Sequence, residues 1–304
     1  MSNESLNKSR SKTDNDEYYT LYEDIEKEIH HYHDQLTGKI VYCNCDDPYK
    51  SQFVRYFLRK YKEIGLKRLI ATCKINGGNG YLLDVSDVPF YSDITEEKLT
   101  SYIRFHTVQL NGDGDFNSDE CKKYLEQSDV VITNPPFSLF RKWYTQVRQF
   151  KKDLVVVANF NTVLTQELHE DLVENILRFG TDTHNRGYTF TRPDGTMTSL
   201  GYICWVTTLN VPDKPFVDLI DRPLSEYRRY DNSDIVVVPR SNEIPKTDGN
   251  VRLAVPSTIL FKFNPKQFKL LGVANFTRDK YTIVKPIIDG KRKYKYVVIQ
   301  QITG

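Results

Sequence analysis

The chain has 304 residues, of which 39% are hydrophobic, 12% aromatic and 27% charged; this is ordinary globular composition and excludes a wholly disordered polymer. No apolar run approaches the roughly 20 residues that cross a bilayer, and the first twenty residues are polar, so neither a membrane span nor a secretory leader is expected and a cytoplasmic protein is. A formal net charge of +2 says little until it is divided along the chain.

Residues 1–13 are rich in Ser, Lys and Asn and read as a mobile N-terminal arm. From Glu17 to His33 apolar residues recur at helical spacing (Tyr18, Leu21, Ile25, Ile29). Lys39 to Cys45 is a strand pattern that ends at Asp46-Asp47-Pro48, and Gln52 to Tyr61 is again helical. Arg68 to Cys73 reads as a second strand, followed by a glycine-rich loop over residues 74–80. Further strands are expected at Arg104–Leu110, Asp129–Thr133 and Asp153–Ala158, with helices at Asp119–Gln127, Leu139–Phe150 and Thr165–Phe179. Strands alternating with helices imply an α/β fold, a mostly parallel sheet covered on both faces.

Beyond residue 180 the texture changes. Residues 184–198 hold turn chemistry between two short aromatic runs, and Gly201–Leu209 alternates as a strand; together they predict an antiparallel hairpin at the sheet edge. After Pro212 prolines become frequent, which places a boundary near 210. The chain thus divides into 14–210 and a C-terminal α+β region, 211–304.

The five cysteines (Cys43, Cys45, Cys73, Cys121, Cys204) have no C-x-x-C spacing, and no His or second Cys pair follows Cys43 and Cys45 at zinc spacing. They read as buried free thiols. His30, His31 and His33 crowd one helix end without a carboxylate or Cys partner at ligand spacing. No metal is expected.

The charge is asymmetric. Residues 211–304 carry 17 Lys and Arg against 10 Asp and Glu, a net of +7, and within 251–304 there are 11 basic residues against Asp279 and Asp289 alone. Lys291-Arg292-Lys293-Tyr294-Lys295-Tyr296 interleaves cations with aromatics. Such a region on a mildly acidic body fits a polyanion, because neutralising phosphates supplies much of the affinity for nucleic acid. Nucleic acid is the expected partner. Arg228, Arg229, Arg240 and Arg252 are the candidates for guanine edges, and Lys291, Arg292, Lys293 and Lys295 for phosphates.

The stretch that carries chemistry is Val130-Val-Ile-Thr-Asn134-Pro135-Pro136-Phe137. An apolar strand runs directly into a stiff turn, at the strand end where α/β folds bind ligands. Two prolines fix φ and remove two donors, which leaves carbonyls free to point into a pocket. Asn134 supplies an amide acceptor, the Pro135 carbonyl a second, and Phe137 a flat ring. These groups suit a planar heterocycle bearing an exocyclic amine, and they match the signature of amino-group methyltransferases that use S-adenosylmethionine.

The likeness extends beyond the tetrapeptide. Asp16-Glu-Tyr-Tyr-Thr20, Val41-Tyr-Cys-Asn-Cys-Asp-Asp-Pro48, Gly112-Asp-Gly-Asp-Phe116, Asn134-Pro-Pro-Phe-Ser-Leu-Phe140 and Phe261-Lys-Phe-Asn-Pro-Lys-Gln-Phe268 occur in that order. From about residue 14 to the end the chain resembles the EcoRI-type adenine-specific DNA methyltransferase family. That resemblance implies a Rossmann-like methyltransferase fold, S-adenosylmethionine as methyl donor and the N6 amine of adenine as acceptor. Tyr19 and Thr20 would lie against the cofactor's methionine portion, and Asn44, Cys45, Asp46, Asp47 and Pro48 would form the first cofactor loop. Asp115 and Phe116 would receive the cofactor's adenine, and Asn134 to Phe137 the target base. It also implies double-stranded DNA as the partner, and a monomer, since one chain holds every part.

Two departures from the wider superfamily stand out: the first loop lacks a Gly-x-Gly turn, and Cys73-Lys74 stands where a ribose-binding carboxylate is usual. Rival readings keep the turn but change the acceptor to RNA or a protein glutamine, or treat the chain as a DNA-binding relic that has lost catalysis.

Overall fold

The computed structural model describes residues 18–181, 188–192, 194–275, 282–293 and 296–302. The expected arm over residues 1–13 lies outside them. Four parallel strands form the centre of an eight-stranded sheet: β2 (Ile40–Cys43), β3 (Arg68–Cys73), β6 (Val130–Thr133) and β7 (Asp153–Asn159). Their residues are almost all buried because both faces are covered, as parallel sheets require.

Period-two alternation sorts the strand side chains between two cores. Val41 and Cys43, Leu69 and Ala71, and Val130 and Ile132 face the helices Tyr22–Ile29, Gln52–Ile64 and Glu96–His106. Tyr42, Ile70, Val131 and Val156 face the helices Asp119–Gln127, Phe140–Gln149 and Gln166–Val173. The helix Gln52–Ile64 shows how the sequence sets such an element. Ser51 caps its first turn, Gly65 ends it at φ 73°, and Phe53, Phe57 and Ile64 are buried. Each such side chain contributes roughly 1.5–3 kcal/mol on leaving water.

Outside the centre the sheet turns antiparallel. β4 (Tyr81–Val85) runs against β3, and β5 (Thr107–Gln109) against β4. Neither β4 nor the helix Glu96–His106 follows from the sequence reading, and that helix takes up the first three residues of the strand expected at Arg104–Leu110. On the other side β11 (Ile203–Thr207) lies antiparallel between β7 and β8 (Arg178–Phe179). β8 is the tail of the segment expected to be helical from Thr165 to Phe179.

The predicted edge hairpin takes a different form. β9 (Tyr188–Thr191) pairs with β10 (Met197–Leu200), but this hairpin is outside the large sheet and joins β1 (Tyr19–Thr20) in a three-stranded sheet of its own. β11 enters the large sheet alone.

The C-terminal region is built on strands and not on α+β. Its described residues contain no α-helix, only the short 3-10 turns Leu224–Glu226 and Ser257–Lys262. A six-stranded sheet runs in the order β12 (Arg228–Arg229), β13 (Val236–Val237), β14 (Arg252–Pro256), β19 (Tyr296–Gln301), β15 (Phe268–Ala274), β16 (Thr282–Val284). A small ribbon joins β17 (Ile287–Ile288) to β18 (Lys291–Arg292). Alternation again divides this sheet: Leu253 and Val255 join the core that contains Val131 and Phe160, whereas Ala254 and Val298 face Tyr230 and Ile288. Phe261 packs against Phe160 at 4.8 Å and Phe179 at 5.3 Å between ring centroids. One continuous core therefore crosses residue 210.

Candidate active site

β3 lies on one side of β2 and β6 lies on the other. Chain order reverses there, and the crevice beyond the strand ends at such a point is where α/β sheets bind ligands. The loop after β2 and the turn after β6 both open into it. Asp46 ties them together: its Oδ2 accepts a hydrogen bond from Thr133 Oγ1 at 2.5 Å and its Oδ1 one from Ser51 Oγ at 2.6 Å. Ser51 Oγ in turn accepts from the Phe53 and Val54 N–H groups at 3.1 and 3.4 Å. One buried carboxylate thus fixes two strand ends and a helix start.

The rest of the first loop is anchored within the fold. Asn44 Oδ1 accepts from the Trp143 indole at 2.9 Å, and Asp47 Oδ1 accepts from the Tyr49 N–H at 3.0 Å. Lys50 lies 3.4 Å from Asp47, and Pro48 is buried. Burial, and to a smaller extent the Asp46 carboxylate, push the Cys45 thiol up, so it stands as a neutral group.

A cleft lies between these elements, lined by Tyr18 to Thr20, Cys45 and Asp46, Ser51 to Phe53, and Asn134 to Phe137. Tyr19 and Thr20 are held there by pairing with Thr191 and Phe190. Asn134 Nδ2 donates to the Tyr18 carbonyl at 2.7 Å. Two buried oxygens of this lining, Asn134 Oδ1 and Thr20 Oγ1, have no hydrogen-bond partner among the described residues. Leaving such groups dry and unpaired costs on the order of 1–3 kcal/mol each, which marks the cavity as built for a polar ligand. Phe137 is half-buried, 6.0 Å from the Tyr18 ring at 25° and 6.4 Å from Phe190 edge-on at 83°.

The Gly112–Phe116 loop lies on the end of β3. A Cβ at Gly114, whose φ is +79°, would fall 2.0 Å from the Cys73 carbonyl oxygen, and one at Gly80 would fall 2.5 Å from it. Only glycine permits this approach. Lys74, at the position where an acid is usual, pairs with Asp115 at 2.7 Å and Asp113 at 3.5 Å. Burial alone would raise the Asp115 carboxyl, but hydrogen bonds from Lys74 and from the Asn117 N–H outweigh it and hold the group below its ordinary value. Phe116 is buried in the core beside Tyr42 and Cys121. Asp115 is close enough to Cys45 to act on its thiol, so the structure brings this loop and the first loop together.

Sequence reasoning missed Tyr18, Ser51 and Thr133 as site residues. Ser51 before an apolar helix was a legible cap signal. Thr133 directly precedes the Asn-Pro-Pro-Phe turn, yet no local pattern announces that its hydroxyl meets Asp46 from 87 residues away.

The predicted DNA-reading cations lie on the surface of the C-terminal sheet. Arg228 pairs with Asp289, which brings β12 beside the turn that leads to Lys291 and Arg292 of β18. Arg229 donates to the Asp234 carbonyl and Arg252 pairs with the Asp234 carboxylate, so these two converge. Arg240 stands on a separate turn with Glu243 at 3.2 Å. Lys291, Arg292 and Lys293 are exposed, and Lys295 lies outside the described residues. Arg228 and Lys293 rim an open cavity of about 800 Å3 with Tyr227 and Tyr296. Among the described residues no group of three or more His, Cys, Asp or Glu could hold a metal ion, and no helix is long and apolar enough to cross a membrane.

A cleft at the strand-order reversal, faced by an Asn-Pro-Pro-Phe turn, is the arrangement that the resemblance to amino-group methyltransferases leads one to expect. The comparisons agree. Residues 5–301 match the family described as adenine-specific methyltransferase EcoRI. The chain is 35% identical to the type II methyltransferase M.EcoRI of Escherichia coli, over 98% of this chain and 96% of that one. It is 30% identical to the type II methyltransferase M.MpnI of Mycoplasma pneumoniae, over 95% and 96%, and 29% identical to M.MgeORF184P of Mycoplasma genitalium with the same coverage. No solved structure matches it. The chain belongs to the EcoRI family of adenine-specific methyltransferases, and its reaction is methyl transfer to adenine in DNA.

Proposed function

We propose that the chain methylates the N6 amine of one adenine within a short recognition sequence, using S-adenosylmethionine and turning the target base out of the duplex. The observation that carries this reading is the Asn134 amide oxygen, buried at the cavity wall beside Phe137 and without a partner among the described residues. An adenine amine brings the missing donor.

The residues present fit the cofactor. The unpaired Thr20 hydroxyl and Tyr19 stand where its amino-acid portion would lie, with the first loop from Asn44 to Pro48 beneath it. Asp115, kept ionised by Lys74, would accept from its adenine amine, with Phe116 close behind. When bound, S-adenosylmethionine supplies an electrophilic sulfonium methyl. The protein's own groups do the rest. Asn134 Oδ1 and the Pro135 carbonyl accept both amine hydrogens, which draws the nitrogen towards tetrahedral geometry and stabilises the positive charge it gains, through dipoles already in place. Phe137 stacks on the base, offsetting part of the few kcal/mol that extrusion costs. The proton leaves to solvent after transfer.

The strand order, with β2 and β6 flanking the crevice, supports a Rossmann-like catalytic domain over residues 14–210. Residues 211–304 would then read the target, with Arg228, Arg229, Arg240 and Arg252 directed to base edges and Lys291, Arg292, Lys293 and Lys295 to phosphates. One chain holds all these parts, which supports action as a monomer.

The test is incorporation of labelled methyl groups into duplex DNA, followed by sequencing that detects methylated adenine. Modification at one short motif is expected. Asn134→Ala should lower turnover about 100-fold or more, the scale of removing one preplaced polar group that meets transition-state charge, with cofactor and DNA binding retained. Incorporation into RNA or protein alone, or an Asn134→Ala enzyme with full activity, would overturn the reading.

A further inference from the structure

We infer that the backbone carbonyl of Tyr18 is the positioning group for the Asn134 amide, and that this carbonyl is why the chain carries asparagine and not aspartate at the head of the turn. The inference rests on the role proposed for Asn134. A peptide carbonyl can only accept, so the atom that faces it at 2.7 Å must donate. That requirement sets which end of the amide points where: Nδ2 towards Tyr18, Oδ1 left as the buried acceptor. The same bond polarises the amide and strengthens the oxygen as an acceptor.

The carbonyl is itself held in place. Tyr19 and Thr20, the next two residues, pair with Thr191 and Phe190 of β9, and β9 pairs with β10. The Tyr18 ring stacks on Phe137 and meets Phe190 edge-on, 6.0 Å away. The separate three-stranded sheet therefore orients the amide that meets the base, although no residue of β10 lines the cavity.

The variant Asn134→Asp cannot reproduce this arrangement as a carboxylate, since both its oxygens are acceptors and one would face the Tyr18 carbonyl. Protonated, it can: the acid O–H donates to Tyr18 and the other oxygen accepts from the base. The carbonyl therefore raises the pKa of the carboxyl that the substitution introduces. A raised pKa means that the competent form is present at low pH and is lost as pH rises. The titratable groups that face this turn are Tyr18 and Tyr19 from the N-terminal strand and Cys45 and Asp46 from the loop after β2, with Lys50 over the Tyr19 ring. All are common to both proteins, so the ratio of variant to parent activity isolates the side chain at the head of the turn.

The experiment is DNA methylation by Asn134→Asp and by the parent chain across a pH series, with DNA binding measured at each pH. The ratio of turnover rates is expected to fall about tenfold for each pH unit above the variant's carboxyl pKa, because the protonated fraction falls by that factor. A flat ratio, whether the variant is active or dead throughout, overturns the inference. An active Asn134→Ala enzyme would instead overturn the role of Asn134 itself, so the two failures are distinguishable. A second measurement uses the unaltered protein. With asparagine side chains labelled with nitrogen-15, one Asn134 amide proton should exchange slowly with solvent because it is bonded to Tyr18. Equal, rapid exchange of both protons would count against the inference even if the aspartate variant did not fold.

Discussion

The two large sheets use the same apolar alternation and place their polar groups in opposite ways. At the ends of β2 and β6 the functional groups are buried and tied to one another: Asp46 holds Thr133 and Ser51, and Asn44 holds Trp143. On the C-terminal sheet the charged groups stand in solvent, each arginine paired with a nearby acid or carbonyl. The difference fits the tasks proposed for them. Stabilising charge at one nitrogen needs dipoles that do not reorganise. Gripping phosphates needs cations whose present partners are easily exchanged, and exposed ion pairs are worth only about 0–1 kcal/mol.

That contrast can be broken at its rigid end first. Gly114→Ala forces a side chain into positive φ and against the Cys73 carbonyl. Strained backbone of this kind costs about 1–3 kcal/mol before any clash is counted, so a thermal melt should show a drop of many degrees and cofactor binding should weaken with it. Phe137→Ala should be milder, since base stacking is worth roughly 1–3 kcal/mol; steady-state methylation should fall about tenfold or somewhat more, with the melting temperature almost unchanged. The smallest effect on chemistry is expected from the flexible end. Lys291→Ala with Lys293→Ala should leave turnover at saturating DNA intact and reduce the slope of log affinity against log salt by about one for each phosphate that is no longer neutralised. An unchanged slope would remove these lysines from the interface.

The parts of the fold that were legible in the sequence are those with local causes. Arg68–Cys73 is a strand because a short apolar run with the β-branched Ile70 and Thr72 favours one, and Asp119–Gln127 is a helix that Ser118 caps. The turn at Asn134 announces itself because prolines act on their own neighbours. What escaped depends on distant partners. Tyr81–Val85 is an exception: the Asn-Gly and Gly-Gly steps of the loop before it are a turn signal, and it pairs with the adjacent strand β3. β9 takes β1 as its partner from about 170 residues away, so the predicted edge hairpin had no local means of showing where it would attach. A separation of 116 residues hid Tyr18, whose hydrogen bond with Asn134 is made by a backbone atom that no side-chain pattern can encode. In the C-terminal region the sequence revealed the charge and β-rich segments among loops, but not how those segments pair into one sheet.

Phe261, wedged against Phe160 and Phe179, has a consequence for how such enzymes diversify. The residues that would read the target cannot be exchanged between relatives as a self-contained cassette, because cutting near 210 would tear apart a shared apolar interior and leave a raw face on each piece. On the assignment proposed for residues 211–304, new specificity would arrive by substitution on the surface of the C-terminal sheet, or by a graft that brings both sides of that aromatic contact with it.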